Sequence, residues 1–365
     1  MWSRKDKDGD TILVATHVDD SIVTGSDDDK TDTFVGEMLD RFDGTCERNL
    51  TKMLGMEWER NIEAGTSILH QRAFTEKLLK AFCFWQYSKP TKTPQAPATR
   101  LSAADKAATP DPELHRRYRA IVGALGWLNQ GTRPDISHAY SELSKFVQCP
   151  GQNHMDAAEY CLKYLAGTVN LCIHYGRTND GNIEDRELNR LWGWVDADFA
   201  ADLDTRRCTG NVIMMNGGLI SWKSVKQKSV SLSTAESEWH AAYSEAGKEL
   251  LYLRIIMREF GFPQLGPMHL YKDSRAVIAM AENPSDQGAR HIDTREHFVN
   301  QLVKDCIVKL VQCRTNKMVA DALTKNLPAP AFEQHRANML GEDEAPFSAM
   351  MCRVLGLVIC PNVLV

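Results

Sequence analysis

Four acidic side chains in the second half of the chain are of the type that binds divalent metal ions. They are Asp196, Glu238, Asp273 and Asp321. Each stands near an apolar run, either where a strand would end or where a helix would begin. Mg²⁺ prefers carboxylates and water as ligands, and two ions about 4 Å apart can hold the attacking water and the leaving oxygen of a phosphodiester. A single acid in such a place is more often a turn or cap residue. Four such acids, one after each successive group of elements, predict a shared metal site.

The elements that must position these acids can be read from the apolar pattern between residues 191 and 324. Short apolar runs predict strands at residues 191–195, 211–215, 219–222, 268–272 and 307–312. A polar turn is predicted at 202–210. A further run at 228–232 leads to Ser233 and Thr234, which predict the start of a helix. Helices are predicted from there to about residue 260, and then at 276–282, 291–305 and from 319. The pattern therefore places Asp196 at the end of a first strand and Glu238 in the helix after the sheet.

The first half of the chain predicts a hairpin, several helices and two boundaries. Apolar runs at 11–24 flank Asp19 and Asp20, which gives a hairpin with two carboxylates at its tip or simply an Asp-rich turn. Residues 27–29 with Lys30 predict a solvated loop. Strands are predicted at 54–62 and 68–71. Helical spacing of apolar residues occurs at 34–42, 74–84, 118–128, 136–146 and 156–165.

Proline-rich and polar stretches divide the chain into four predicted regions. Three prolines lie within 88–97, and residues 177–190 are polar and charged. We therefore expect a first region at 1–97, a helical region at 98–186, a third at 187–330 that holds the four acids, and a tail at 331–365.

Composition restricts the class of protein. The chain has 365 residues, of which 43% are hydrophobic and 25% charged, so it can form sizeable cores. Its net charge of −5 argues against a free-standing, non-specific nucleic-acid binder. Ten cysteines without a C-x-x-C pair, and a start without an apolar signal core, favour an intracellular protein with reduced thiols. The apolar run at 347–365 is interrupted by Arg353 and Pro361, so we expect no membrane anchor.

Several motifs resemble one family. Asp273 lies in LYKDSRAV, Glu238 in TAESEWHAA and Asp321 in VADALTK. Together with them, the following stretches resemble the Pol polyproteins of copia-type LTR retrotransposons, over roughly residues 11 to 330: HVDDSIVTG at 17–25, YRAIVGALGWLNQGTRPDI at 118–136, ISWKSVKQKSVSLSTAESEW at 220–239 and ARHIDTREHF at 289–298. The resemblance covers the C-terminal part of reverse transcriptase and the ribonuclease H domain.

The resemblance implies a fold and an activity. The fold is α/β: a partial palm, thumb-like and connection region, followed by a ribonuclease H-like mixed five-stranded sheet with flanking helices. The activity is cleavage of the RNA strand of RNA–DNA hybrids by two Mg²⁺ ions, with Mn²⁺ as a substitute. By position, the four acids would be both catalytic residues and metal ligands. Asp198 and Glu236 are neighbouring alternatives for the first two, but Trp-His-Ala-Ala after Glu238 fits the family better.

The resemblance also implies partners and a location. The main partner is the RNA–DNA hybrid, and the others are the remaining reverse transcriptase segment and further retroelement proteins. The location would be a cytoplasmic particle or the nucleus. Ser233, Thr234 and Ser274 are candidates for contacts to the hybrid, although hydroxyls beside helix starts are more often caps. Lys223, Lys226 and Lys228 are candidates for phosphate contacts, although they also suit a solvated strand face.

Departures from the family pattern support a second interpretation. Asp19 and Asp20 would be the remnant of the polymerase metal pair, but His17 stands where the family has Tyr. The sequence begins just before this hairpin and so lacks the fingers, the upstream palm and their third acid; we expect no DNA synthesis by this chain alone. The turn RRCTG at 206–210 is one residue shorter than the family's. The alternative is therefore an inactive or recruited retroelement remnant that binds nucleic acid or protein.

Overall fold

The computed structural model describes residues 2–61, 64–97, 99–107, 109, 111–176, 189–198, 208–226, 243–275, 278–279, 301–341 and 362–364. Within these ranges no helix is both long and apolar enough to cross a membrane.

An antiparallel sheet forms the N-terminal part of the chain. Its strands are β1 (Trp2–Lys5), β2 (Thr11–His17), β3 (Asp20–Gly25) and β4 (Cys46–Glu47), and a C-terminal strand, β14 (Asn362–Leu364), pairs between β3 and β4. The predicted hairpin at 11–24 is confirmed, because β2 and β3 pair directly. Helix α1 (Asp28–Leu39) packs Val35 against Val14 and Val23.

The prediction of a solvated loop at 27–29 is wrong. The Asp27 side chain accepts a hydrogen bond from the Lys30 backbone N–H at 2.8 Å and caps α1, whose first turn contains Asp28 and Asp29. Aspartates favour this position because the helix N-terminus exposes unpaired N–H groups and a partial positive charge.

A second antiparallel sheet connects the N-terminal half to the helices. It contains β5 (Lys52–Met53), β6 (Met56–Asn61), β7 (Thr66–His70) and β8 (Ile173–Tyr175), and α2 (Arg72–Ala81) follows β7. Three further helices are α3 (Pro112–Gly131), α4 (Ser137–Ser144) and α5 (Gln152–Gly167). Helix α3 begins six residues before the predicted start, because Asp111 accepts the backbone N–H groups of Glu113 and Leu114 and Pro112 suits the first helical turn.

The third sheet has five strands and confirms the predicted fold class. The strands are β9 (Trp192–Asp198), β10 (Cys208–Met215), β11 (Gly218–Lys226), β12 (Met268–Lys272) and β13 (Val308–Gln312). Their order is β11-β10-β9-β12-β13. The first three strands are antiparallel, whereas β12 and β13 run parallel to β9. This is the mixed sheet expected of a ribonuclease H-like domain.

Both faces of this sheet are covered. Helix α6 (Tyr243–Glu259) contributes Ala246, Leu250 and Met257 to the core on one face. On the other face the sheet shares a large core with α3, α4, α5, a 3₁₀ turn at Val319–Leu323 and helix α7 (Ala329–Leu340). The helical region, the sheet and the beginning of the tail are thus packed around one core, and the four region boundaries stay predictions.

The predicted polar turn at 202–210 is wrong at its C-terminal end. Cys208–Gly210 belong to β10 and pair with Asp198, Ala197 and Asp196. The backbone ladder continues past the apolar run, so Asp196 lies inside a strand and not at its end. Backbone hydrogen bonding does not depend on side-chain polarity, and the apolar pattern therefore underestimated both strands.

Candidate active site

Asp196 occupies the buried centre of a cluster of charges. Side chains alternate along β9, so Asp196 shares a face with Trp192 and Trp194, towards the core that contains α3–α5. Its side chain is only 2% exposed. A buried carboxylate requires charged or hydrogen-bonding partners, and this one has three.

The first partner is the segment that carries Asp321. Thr324, which follows the 3₁₀ turn, donates its hydroxyl to Asp196 Oδ2 at 2.7 Å. The close approach depends on Gly210, the cross-strand neighbour of Asp196. A Cβ at Gly210 would lie 2.8 Å from Thr324 Cγ2 and 2.9 Å from Leu323 Cβ. On the next strand, the Ser224 hydroxyl donates to the Leu323 carbonyl at 2.7 Å and holds the same segment against the sheet.

Two lysine ammonium groups are the other partners. Lys325 Nζ lies 3.1 Å from Asp196 Oδ2 and 2.9 Å from Asp321 Oδ1, so one ammonium contacts both carboxylates. Lys272 Nζ lies 2.6 Å from Asp196 Oδ1 and 3.0 Å from Asp273 Oδ1. The structure therefore brings three of the four predicted acids into one cluster, with Asp196 as the shared member.

The electrostatics of the cluster follow from this arrangement. Burial would raise the pKa of Asp196, but Lys272, Lys325 and Thr324 together hold it well below its ordinary value. Burial, and then the negative charge of Asp196, raise the pKa of Asp321 to about 7 against the opposing effect of Lys325. Burial would lower the pKa of both lysines, but their carboxylate partners raise it above its ordinary value. Asp196 is thus ionised at neutral pH and both ammonium groups stay charged.

The other predicted site residues lie outside the described residues or have no described contact with this cluster. Glu238, Ser233, Thr234 and Lys228 lie outside the described residues, as do the side chains of Asp198 and Lys226, so the choices between Asp196 and Asp198 and between Glu238 and Glu236 rest on sequence alone. Ser274 is half-buried beside Asp273. Asp19 is exposed and Asp20 half-buried at the end of the N-terminal hairpin, in a different sheet.

Lys223 belongs to the opposite face of the sheet from Asp196. Its ammonium pairs with Glu249 Oε2 of α6 at 2.5 Å, and Ser221 donates to Glu249 Oε1 at 2.8 Å. Its neighbours Trp222 and Ser224 point to the Asp196 face, where they donate to the Asn129 and Leu323 carbonyls. The role of Lys223 in phosphate binding stays a prediction.

Three residues of the cluster were missed in the sequence. They are Lys272, Thr324 and Lys325. A signal was available for each, because Lys272 directly precedes Asp273, while Thr324 and Lys325 lie three and four residues after Asp321, the spacing of one helical turn. Neither position suggested a charge partner for Asp196, which is far away along the chain.

The cluster fits a divalent cation only in part. Carboxylates from separate elements are the ligands that Mg²⁺ prefers. Yet among the described side chains no three acidic, histidine or cysteine groups converge in a way that could hold a metal ion. Lys325 is 32% exposed, so its ammonium can turn towards solvent and leave Asp196 and Asp321 to a cation. Lys272 is 2% exposed and has no comparable freedom.

Relatives of this chain include Pol polyproteins of plant transposons. The chain is 32% identical over 338 residues to the retrovirus-related Pol polyprotein from transposon TNT 1-94 of Nicotiana tabacum, covering 91% of this chain and 24% of that protein. It is 30% identical over 337 residues to the Pol polyprotein from transposon RE1 of Arabidopsis thaliana, covering 92% and 22%. The chain thus spans less than a quarter of the length of these polyproteins. No family model matches it.

Two other similarities differ in kind. A 142-residue match at 37% identity covers 39% of this chain and 94% of the secreted RxLR effector protein 161 of Plasmopara viticola. A foamy viral protease-reverse transcriptase solved in complex with an RNA/DNA hybrid aligns with a TM-score of 0.30 and 14% identity, over 60% of this chain and 28% of that chain.

Proposed function

Since the chain belongs to the retrovirus-related Pol polyproteins of copia-type transposons, we propose that its third region, residues 187–330, is a ribonuclease H-type nuclease. It would hydrolyse the RNA strand of RNA–DNA hybrids and leave a 3′-hydroxyl and a 5′-phosphate. The observation that carries the proposal is the gathering of Asp196, Asp273 and Asp321 from three separate elements of a ribonuclease H-like sheet into one charged cluster.

The chain's residues would perform distinct tasks in this reaction. Mg²⁺, or Mn²⁺ in its place, would supply the positive charge that activates water and stabilises the leaving oxygen. Asp196 and Asp321 would be ligands, with Glu238 and Asp273 completing the set. Thr324 donates to Asp196 Oδ2 and fixes the orientation of that carboxylate. Lys325, which contacts both Asp196 and Asp321, balances their charge until a cation binds.

Recognition of the hybrid would depend on its shape. The minor groove of an A-like duplex is wide and shallow and displays 2′-hydroxyls, which only the RNA strand of a hybrid carries. Ser233, Thr234 and Ser274 are proposed to contact these hydroxyls, and Lys223, Lys226 and Lys228 the phosphates. Such contacts set the position of the scissile bond without reading base sequence.

A cleavage assay with paired variants tests the proposal. The full chain is incubated with Mg²⁺ and a hybrid labelled on both strands, and compared with Asp273→Asn and Asp305→Asn. Asp305 is an exposed acid of the same domain whose carboxylate accepts only a local bond from Gln301 among the described contacts. We expect cutting of the RNA strand alone, a loss of at least about 100-fold in Asp273→Asn, and no change in Asp305→Asn. Binding of the hybrid without cutting, in Mg²⁺ and in Mn²⁺, would refute the nuclease.

A second function is favoured by two observations. Lys272 lies between two of the acids and balances part of their negative charge without a metal. In addition, a 142-residue part of this chain matches nearly the whole of a short, separate protein. Both suit a retroelement-derived module that binds nucleic acid or protein and does no chemistry. In the same assay this module would retain the hybrid, and Asp273→Asn would leave its affinity within twofold of the parent.

A further inference from the structure

Lys272 lies where a cation bridging two of the acids would lie. Its ammonium is 2.6 Å from Asp196 Oδ1 and 3.0 Å from Asp273 Oδ1. Lys272 is the last residue of β12. Its carbonyl accepts a 2.9 Å hydrogen bond from the backbone N–H of Cys313, which directly follows β13. The residue is therefore anchored at the sheet, and the side chain crosses directly to the neighbouring strand.

Burial makes this ammonium difficult to displace. An unpaired charge in the interior costs several kcal/mol, and the Lys272 side chain is 2% exposed. If it lost its contacts to the two carboxylates, the ammonium could not reach solvent across the described part of the site. Because it is part of the chain, it also competes with any free cation at a fixed and high effective concentration.

Lys325 provides the contrast within the same cluster. It makes equivalent contacts, to Asp196 Oδ2 and Asp321 Oδ1, but its side chain is 32% exposed. Its ammonium already reaches solvent, so it can move into water when a cation takes over its contacts to Asp196 Oδ2 and Asp321 Oδ1. Asp196 is therefore flanked by one exchangeable cation and one permanent cation.

We propose that Lys272 is a built-in cation that takes the place of one metal ion, so that this cluster of described residues has a single exchangeable divalent-cation position, between Asp196 and Asp321. This inference rests on the proposed metal-dependent site and changes its stoichiometry from two ions to one. The carboxylates of Asp196 and Asp273 already share the positive charge of Lys272. A divalent ion bound between them would lie beside that charge and be repelled by it.

The experiment counts ions directly. The full chain, freed of metal with a chelator and dialysed, is titrated with Mn²⁺, and free Mn²⁺ is measured by electron paramagnetic resonance. Lys272→Met keeps an unbranched, apolar side chain that is one heavy atom shorter, and removes the charge. Lys325→Met is the matched control on the exchangeable side. We expect one Mn²⁺ for the parent, two for Lys272→Met, and one for Lys325→Met.

A second variant and a second measurement test the proposal if Lys272→Met misfolds. Lys272→Gln retains a donor towards one carboxylate, and we expect it to bind a second Mn²⁺ at least tenfold more tightly than any second Mn²⁺ binds to the parent. Both Lys272 variants remove the ammonium that Asp196 and Asp273 share, so Mn²⁺ should raise their melting temperatures more than that of the parent. The number of Mn²⁺ ions bound by the parent tests the proposal even if a variant does not fold. Two bound ions, or none, would overturn it. One ion in folded Lys272 variants, with affinity within twofold of the parent, would overturn it as well.

The assay for hybrid cleavage separates this inference from the proposed function. A parent chain that binds two ions and cuts the hybrid refutes the role of Lys272 and supports the nuclease. A Lys272→Met chain that binds two ions while neither protein cuts supports the role of Lys272 and refutes the nuclease.

Discussion

Gly210 controls how closely the Asp321 segment approaches Asp196, and Gly210→Ala tests that control. The added Cβ would lie 2.8 Å from Thr324 Cγ2, 2.9 Å from Leu323 Cβ and 3.0 Å from the Ala320 carbonyl oxygen. Carbon atoms in contact normally lie about 3.5–4.0 Å apart. The segment would have to move outward by about 0.7–1 Å, and two of its three contact points are backbone or β-carbon atoms that cannot rotate away.

Two consequences of that movement can be given magnitudes. Overpacking of a well-filled core typically costs about 1–3 kcal/mol. The Thr324 hydroxyl, now 2.7 Å from Asp196 Oδ2, would move beyond about 3.0 Å, the upper limit of a good O–H···O bond. A misplacement of about 1 Å at a reacting centre can reduce the rate by about 100-fold. We therefore expect Gly210→Ala to lower both stability and the rate of hybrid cleavage.

The assay compares urea unfolding and kcat/KM of the parent with those of Gly210→Ala and of a matched control, Gly123→Ala. Gly123 is exposed on α3, and a Cβ there would have no atom within 4 Å. The control should gain about 0.5–1 kcal/mol, because alanine suits a helix interior better than glycine. If Gly210→Ala unfolds at the same urea concentration as the parent and cuts within twofold of its rate, the close approach does not position the cluster.

Two further predictions concern stability. Arg133→Met leaves Asp135, which its guanidinium contacts at 2.7 Å in the interior, as an unpaired buried charge, and should cost about 3–5 kcal/mol in urea unfolding; Arg117→Met, which breaks an exposed pair, should cost about 1 kcal/mol or less, and equal losses would contradict this reasoning. Burial, with Lys145 as a smaller cause, lowers the pKa of His138 to about 4 from 6.5. The unfolded chain therefore takes up the proton at a higher pH than the folded chain does. The contribution of His138 to the free energy of unfolding is complete above about pH 6.5 and falls by about 3 kcal/mol towards pH 4. Other groups titrate in the same range, so the measured quantity is the difference between the parent and His138→Gln, and a difference that does not change with pH would contradict the assignment.

The apolar pattern was sufficient for two strands of the third region. Strands at Met268–Lys272 and Val308–Gln312 match the predicted runs within one residue, because a short apolar run between polar residues leaves few alternatives to a buried strand. The order of the acids along the chain, combined with motifs around three of them, also identified the family that the comparisons support.

The pattern was less informative where polar residues carry the structure. Helix α1 begins within the acidic run that suggested a loop, since its carboxylates satisfy the helix N-terminus. Strand β10 begins at Cys208 in what had been predicted as a turn. In both places backbone groups found partners that side-chain polarity does not reveal.

The sequence by itself indicated which acids we expect to hold cations and determined the kind of sheet in which three of them lie, because residue type and apolar spacing are local properties. Only the tertiary structure decided that a lysine adjoining one acid neutralises another acid 76 positions earlier in the chain, and that a glycine admits the segment bearing the last one. Pairings of this kind depend on strand order and on the space between packed elements. Both arise only when distant parts of the chain meet.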